Sequence, residues 1–183
     1  MISNILIYVD DINHIDDYRK AGVSAFLFGL EGFCVGYNTY SLDKISKIDV
    51  SNKYILLNRV LDCKDIDKLK EIIPNITDIK GLVFEDIGVY NLVKDMNLGI
   101  ELILFQNHFG TNSKSVNFWL DRVDSMFISN EITKNEISTI LDNVSKSVVL
   151  HLYGYNQVMY SRRLLLTNWS EEFDIPNKNT NVI

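Results

Sequence analysis

Cysteine, basic residues and long apolar runs are all scarce in this 183-residue chain, and each scarcity excludes a class of protein. The two cysteines, Cys34 and Cys63, are too few for a disulfide framework and fit a reducing compartment. The 18 lysines and arginines are outnumbered by 24 aspartates and glutamates, which argues against a nucleic-acid binder that works by charge alone. The apolar runs are far shorter than the ~20 residues of a membrane-spanning helix, so no membrane association is expected.

Targeting and metal-binding patterns are also missing. The first residues, MISNILIYVDDINH, contain neither a basic leader nor a small-residue cleavage site, so we expect a cytoplasmic protein. The three histidines, His14, His108 and His151, show no metal-ligand spacing with each other or with the cysteines, and no metal site is predicted.

Short apolar runs alternate along the chain with longer segments of helical periodicity. The runs are rich in Ile, Leu, Val and Phe, and they are predicted as strands at residues 5–9, 25–30, 54–57, 82–84, 100–105, 126–128 and 148–152. Helices are predicted at residues 13–20, 41–48, 65–73, 87–96, 114–120 and 133–141. Ser41 is predicted to cap the second of these helices, and Thr133 and Glu136 are predicted to form a capping box at the start of the last. Strands that are apolar on both faces and alternate with helices indicate an α/β fold with a parallel sheet. Periodicity alone leaves a doubly wound open sheet and a (βα)8 barrel as alternatives.

Polar side chains follow almost every predicted strand, and they define a candidate site. Because parallel strands place their carboxyl ends on one face, these residues should converge there. Helix caps would explain one polar residue in each loop, as at Asn112 or Ser129, but they explain the longer polar runs less well. The candidates in these loops are Asn58, Asp86, Gln106, His108, Asn112, Ser129 and Glu131.

A further segment, residues 159–169, combines an arginine pair with aromatic residues and a leucine triplet. Its candidate ligand-binding residues are Tyr160, Ser161, Arg162 and Arg163. Paired arginines can hold a carboxylate or phosphate through two parallel hydrogen bonds. The alternative is a surface pair that balances the nearby Glu171 and Glu172.

Four segments resemble motifs of the peptidase U32 family, also called collagenase-like proteases. They are DYRKAGVSAF at residues 17–26, GLVFEDIGV at 81–89, TNS at 111–113 with FISNEIT at 127–133, and GYNQVMYSRRLL at 154–165. This resemblance covers most of residues 4–169 and implies a TIM-type (βα)8 barrel. It also implies one of several activities, since members are described as peptidases, as factors in tRNA 5-hydroxyuridine formation and as iron–sulfur proteins.

Departures from the family pattern favour some of these activities over others. Gln157 and Leu164 stand where the family often has cysteine, and neither can ligate iron, so no iron–sulfur cluster or other cofactor is expected. Val149 stands where the family's motif has a glutamate. Short, cysteine-poor members of the family resemble tRNA-modification factors, and we therefore expect a factor in tRNA uridine hydroxylation. Asp86, Glu131 and His108 are the expected catalytic residues, with a small carboxylic acid or anion bound by the arginines.

The resemblance also implies partners and leaves alternatives open. A second, longer member of the family is the expected partner, and tRNA would be bound through it because this chain is acidic. A collagenase-like peptidase is one alternative, although the matched positions contain no evident nucleophile. A non-catalytic binding or scaffold protein is another.

Length limits how much of a barrel this chain can form. About 250 residues are typical of a (βα)8 barrel, whereas this chain has 183. We therefore predict a U32-like barrel domain at residues 1–169 that is incomplete, with about seven parallel strands, and a polar C-terminal tail at residues 170–183. The shortage is expected at the C-terminus, where a shortened chain would leave unpaired strand edges.

Overall fold

The computed structural model describes residues 5–174, except residues 107, 159 and 164. The chain divides into two compact units, residues 1–153 and residues 154–183. The predicted domain boundary at residue 169 stays a prediction, and the division between the compact units falls sixteen residues before it. No helix among the described residues is long and apolar enough to span a membrane.

The first unit is built on a parallel seven-stranded sheet. Its strands are β1 (Leu6–Tyr8), β2 (Ala25–Leu30), β3 (Thr39–Tyr40), β4 (Lys53–Leu57), β5 (Gly81–Phe84), β6 (Glu101–Leu104) and β7 (Ser125–Met126). Their order in the sheet is β1-β2-β4-β5-β6-β7, and the short β3 pairs with the end of β2. A doubly wound sheet requires a reversal of strand order, so this sequential order selects the barrel topology.

Helices separate the strands and mostly begin at capping residues that the sequence provides. They are α1 (Ile15–Lys20), α2 (Leu42–Ser46), α3 (Cys63–Ile72), α4 (Ile87–Met96), α5 (Ser113–Leu120), α6 (Lys134–Leu141) and, in the second unit, α7 (Leu165–Glu172). Thr133 and Glu136 form the predicted capping box of α6, in which each side chain accepts a hydrogen bond from the other residue's backbone N–H. Ser41 caps α2 as expected.

Alternating side chains of the strands pack into two separate clusters. Phe28, Ile55 and Phe84 belong to the larger cluster, which also includes Leu69, Val93 and Val116 from the helices. Leu27, Leu56, Val83, Ile103, Phe105 and Phe127 form the second cluster on the opposite face of the sheet. Because successive strand residues point to opposite faces, the first cluster marks the outer, helix-covered face and the second marks the inner face of the curled sheet.

The amino ends of the central strands are joined by a hydrogen-bonded group. The Tyr54 hydroxyl donates to Glu101 Oε2 at 2.6 Å, and Lys80 Nζ lies 3.4 Å from Glu101 Oε1. Burial and this hydrogen bond raise the pKa of Tyr54 above its ordinary value. A side chain at Gly81 would have no room, since its Cβ would lie 2.4 Å from the Glu101 carbonyl oxygen. This end of the sheet is tightly packed.

The prediction of an incomplete barrel is confirmed. The sheet curls as part of a barrel, and after β7 the predicted strand at 148–152 contributes one bridge, between Phe127 and Val149. Within the described residues no strand pairing joins β1 to this segment. Two elements were not predicted: β3, which is only two residues long, and α7, whose sequence was interpreted as a ligand-binding segment.

Candidate functional site

The carboxyl ends of β4 to β7 place one residue from each strand in a common row. Leu57 pairs with Phe84, and Phe84 pairs with Leu104, so the next residues in line are Asn58, Glu85 and Phe105. Phe105 and Phe127 belong to the inner cluster, and their rings meet edge-on with centroids 4.9 Å apart. By alternation from Val83, Glu85 points to the inner face of the sheet.

Asn58 has the first polar side chain of this row, and its hydrogen bonds hold the preceding loop in place. It is fully buried, its Oδ1 accepts a hydrogen bond from Val35 N–H at 2.9 Å, and its Nδ2 donates to Val35 O at 3.1 Å. One side chain thereby satisfies the backbone N–H and the backbone C=O of a buried residue. Asn58 was predicted to bind substrate, and its position indicates a role in fixing the loop after β2.

Glu85 is the next member of the row, and one of its oxygens has no partner. Oε2 is inaccessible to solvent and accepts no hydrogen bond. Burial raises the pKa of Glu85 to about 7, and Asp86 raises it further, whereas His108 acts in the opposite direction. A carboxyl group with this pKa exists in both protonation states at neutral pH, which is the property that a general acid or base requires.

Gln106 lies beside Glu85 and also has an unpaired polar atom. Its Nε2 donates to the Glu85 backbone oxygen at 3.3 Å, whereas its Oε1 is buried and has no partner. These two atoms, Glu85 Oε2 and Gln106 Oε1, are the buried side-chain polar atoms without partners in the described part of the chain. Buried polar atoms are normally paired, so two unpaired atoms on neighbouring strands mark a place for a ligand or water.

His108 and Glu131 form an exposed pair near this position. His108 Nδ1 lies 3.7 Å from Glu131 Oε1, and more than half of each side chain is exposed to solvent. His108 also acts electrostatically on Glu85, so the polar groups after β5, β6 and β7 are coupled to one another. The assignment of His108 and Glu131 as catalytic residues stays a prediction.

Three other predicted site residues have structural contacts. Asp86 accepts hydrogen bonds from Gly88 N–H at 2.7 Å and from Leu61 N–H at 3.1 Å, so it caps α4 and binds the neighbouring loop. Asn112 caps α5 by accepting from Ser115 N–H. Ser129 is buried, and its hydroxyl accepts from Glu131 N–H at 3.2 Å. Their assignment to the site stays a prediction, and the contacts observed are those of caps and turns.

The predicted residues of the arginine segment belong to the second unit. Ser161 Oγ accepts a hydrogen bond from Arg163 N–H at 3.2 Å, and both arginine side chains are exposed. Tyr160 is half-buried. Leu164, one of the two positions where the family often has cysteine, lies outside the described residues. The prediction that these side chains bind an anion therefore stays a prediction.

Cys34 lies in a buried group at the ends of β1 and β2. The Tyr8 and Tyr37 rings have centroids 4.4 Å apart, and the Tyr8 hydroxyl donates to Asn38 O. Burial raises the pKa of the Cys34 thiol to about 12, so this sulfur is a protonated thiol at neutral pH and a poor nucleophile. Burial also raises the pKa of Tyr8. This group packs the barrel interior.

Glu85 was not selected as a site residue from the sequence, although the sequence contained the information. Asp86, the next residue along the chain, is the one predicted from the sequence. Strand alternation distinguishes the two, because Val83 and Glu85 share the inner face whereas Phe84 and Asp86 share the outer face.

Among the described residues, no group of three or more histidine, cysteine or acidic side chains could hold a metal ion.

Comparison with protein-family models identifies the family of this chain. Residues 41–179 match the model of the family described as "Peptidase family U32". A protein of Methanocaldococcus jannaschii, described as an uncharacterized protease, is 28% identical to this chain over 105 residues. The matched segment is 56% of this chain and 25% of that relative, so it spans a quarter of the relative's length. No solved structure matches.

Proposed function

Because this chain belongs to peptidase family U32, we propose that it acts in tRNA uridine hydroxylation and that Glu85 is its acid–base group. One observation carries the choice of residue: Glu85 has a buried oxygen without a partner on the inner face of the strand ends, in a carboxyl group with a pKa of about 7. Such a group accepts and returns a proton at neutral pH without the help of a metal.

His108 and Glu131 support the same role from the neighbouring loops. Their polar atoms lie 3.7 Å apart, and the charge of His108 acts on Glu85, so we assign to this exposed pair the transfer of the Glu85 proton to solvent. In this proposal Asp86 positions the loop that carries Glu85, because both of its oxygens accept backbone hydrogen bonds. Arg162 or Arg163 binds a small carboxylic acid or other anion.

The proposed activity also requires a partner protein that binds tRNA. The chain has a net charge of −6, so tRNA binding is assigned to a second, longer member of the family, and the proposed place of action is the cytoplasm. Hydroxylation of uridine is a two-electron oxidation, so in this proposal the oxidant comes from the partner, Glu85 moves protons only, and this chain needs no iron–sulfur cluster of its own.

The proposal is tested by the 5-hydroxyuridine content of tRNA from cells that lack the gene. We expect this modification to fall, to be restored by the wild-type gene, and to remain low with Glu85→Gln. Glu31→Gln is the matched control, because Glu31 also follows a strand, β2, which is separated from β5 by β4, and its side chain is exposed. Unchanged modification in a strain without a second gene of this family would overturn the proposal.

A peptidase is the second candidate, because the relative from Methanocaldococcus jannaschii is described as a protease. The same groups would then activate water for attack on a peptide bond. The purified chain would cleave collagen-like or other extended peptides, and cleavage would be lost in Glu131→Gln and in His108→Ala. A non-catalytic binding protein would show neither cleavage nor an effect of these substitutions on tRNA.

A further inference from the structure

Two adjoining cavities lie on the helix-covered side of the sheet, at the amino ends of β5 and β6 and so at the opposite end of the strands from Glu85. The small cavity has a volume of about 80 Å³ and the large cavity about 240 Å³, and Leu98 and Ile100 line both. In combination they reach the lower end of the range of small-ligand sites, roughly 300–1,000 Å³. Their size therefore suits one small molecule that extends across both.

The loop between α4 and β6 forms the wall that the two cavities share. Asn97 follows α4 in the left-handed conformation, with a φ of 48°, and its N–H donates to the carbonyl oxygens of Val93 and Lys94. Gly99 also has a positive φ, of 67°. The chain reverses direction here and leaves Leu98 38% exposed beside both cavities. Leu98 thus presents apolar surface to whatever enters them.

The small cavity is lined by apolar side chains alone, and the large cavity adds cations. Besides the two shared residues, the small cavity is lined by Ile73, Pro74, Ile76, Ile79 and Leu82. Lys94 and Arg122 line the large cavity. The two cavities therefore differ in chemistry, since one offers apolar contacts and the other offers positive charge as well.

The two cations of the large cavity contact aromatic rings instead of acidic groups. Lys94 Nζ lies 5.5 Å from the centre of the Tyr90 ring, and Arg122 Cζ lies 3.9 Å from the centre of the Phe118 ring. Among the described residues, no carboxylate forms an ion pair with either cation, whereas Lys80 at the amino end of β5 has a carboxylate partner. The large cavity therefore has an excess of positive charge that an anion would balance.

A ligand must have both an apolar part and an anionic group to use these two cavities. A purely polar anion such as phosphate would gain only exposed ion pairs, which contribute little, and would leave the apolar lining in contact with water. A neutral apolar compound would bury that lining but leave both cations unbalanced. An amphiphilic carboxylate satisfies the lining and the cations together.

We propose that the two cavities form a binding site for a small amphiphilic carboxylate. Its alkyl or aryl part occupies the small cavity and packs on Leu98, and its carboxylate lies at Lys94 and Arg122 in the large cavity. This site lies away from the Glu85 row and does not depend on the proposed function.

Two fluorescent probes that differ by one charged group test the proposal on the full-length chain. The probes are 8-anilinonaphthalene-1-sulfonate, an aromatic anion, and N-phenyl-1-naphthylamine, its neutral counterpart. We expect the anionic probe to bind and to be displaced by decanoate. Raising the salt concentration from 0.1 M to 1 M should weaken the anionic probe and leave the neutral probe within about twofold, because salt screens exposed charges.

Substitutions then identify the site. Lys94→Met and Arg122→Met keep an apolar side chain but remove the charge, so each should weaken the anionic probe by about three- to fivefold and the pair by about tenfold. The neutral probe should change by less than about twofold. Leu98→Asn should weaken both probes. Lys44→Met is the matched control, because Lys44 also lies over a tyrosine ring, that of Tyr40, but lines neither cavity.

Several outcomes would overturn the proposal. They are failure of the anionic probe to bind, failure of decanoate to displace it, and equal losses of the two probes in the charge variants. Displacement by an acidic amphipathic peptide but not by decanoate would also overturn it and would indicate a docking site for a protein. The salt dependence and the displacement by decanoate need no substitution, so they decide the question even if a variant fails to fold.

Discussion

Two polar side chains, at the carboxyl ends of the neighbouring strands β4 and β5, differ in whether their buried polar atoms have hydrogen-bond partners. Asn58 is fully buried and makes two hydrogen bonds with the backbone of Val35. Glu85 lies beside it in the same row and has a buried oxygen without a partner. The first side chain is satisfied by the protein itself, whereas the second is not.

This difference distinguishes a structural polar residue from a functional candidate. A buried amide whose oxygen and nitrogen are both hydrogen-bonded to one loop stabilises that loop conformation. An unpaired carboxyl group lowers stability in the absence of a ligand, a pattern that recurs at functional sites. Polarity at a strand end is therefore insufficient evidence for a site, and the pairing of each polar atom is the better criterion.

The largest expected effect is loss of stability on replacing Asn58. Asn58→Ala would leave the N–H and C=O groups of Val35 buried and unpaired, and we expect the free energy of unfolding to fall by about 2–4 kcal/mol. Denaturant unfolding measures this change. Asn112→Ala is the control, because Asn112 is an exposed helix cap whose loss costs about 1 kcal/mol. Similar losses in the two variants would contradict the structural role of Asn58.

A smaller effect of the opposite sign is expected on replacing Glu85. Its pKa of about 7 in the folded state lies above its ordinary value of 4.5, so the folded protein binds this proton more tightly than the unfolded chain. The stability that this proton contributes is present below pH 4.5 and is lost as the pH rises to about 7. Glu85→Gln keeps a neutral side chain at every pH.

We therefore expect Glu85→Gln to match the wild type near pH 4 and to be about 1–3 kcal/mol more stable at pH 8. The full shift in pKa, from 4.5 to about 7, would correspond to about 3.4 kcal/mol, and partial exposure of the side chain reduces this figure. Unfolding in denaturant at the two pH values tests the expectation. Val83→Ala, on the same face of β5, should destabilise equally at both pH values. A variant less stable than the wild type at pH 8 would contradict an unpaired Glu85.

The fold could be predicted from the sequence because its signals are local. The six strands with apolar runs were located within one or two residues, and Ser41 and Thr133 were identified as caps because their side chains act on their own helices. The two-residue β3 has no such run. The predicted last strand, at residues 148–152, forms only a single bridge, at Val149. A strand needs a partner strand to pair with, and the hydrophobicity of a segment does not show whether one is present.

The site was less predictable because pairing across loops is not encoded locally. The whole sheet brings distant loops together. Only this arrangement lets Asn58 bind Val35 and lets Asp86 accept a hydrogen bond from Leu61 N–H. Glu85 could have been found by alternation along β5, which places it on the inner face. Its unpaired oxygen could not, because a missing contact is visible only when all neighbours are in place.

The smallest effect on stability is expected at the His108–Glu131 pair. Replacing Glu131 is the last test of the distinction between side chains that hold the loops, such as Asn58, and side chains that serve a site. Both side chains are more than half exposed and their atoms lie 3.7 Å apart, so water screens their interaction. Glu131→Gln should change the free energy of unfolding by less than about 0.5 kcal/mol, as measured by denaturant unfolding. If Glu131 serves the acid–base site, the same variant should still lower the 5-hydroxyuridine content of tRNA. A large loss of stability would instead place Glu131 with Asn58, among the side chains that hold the loops.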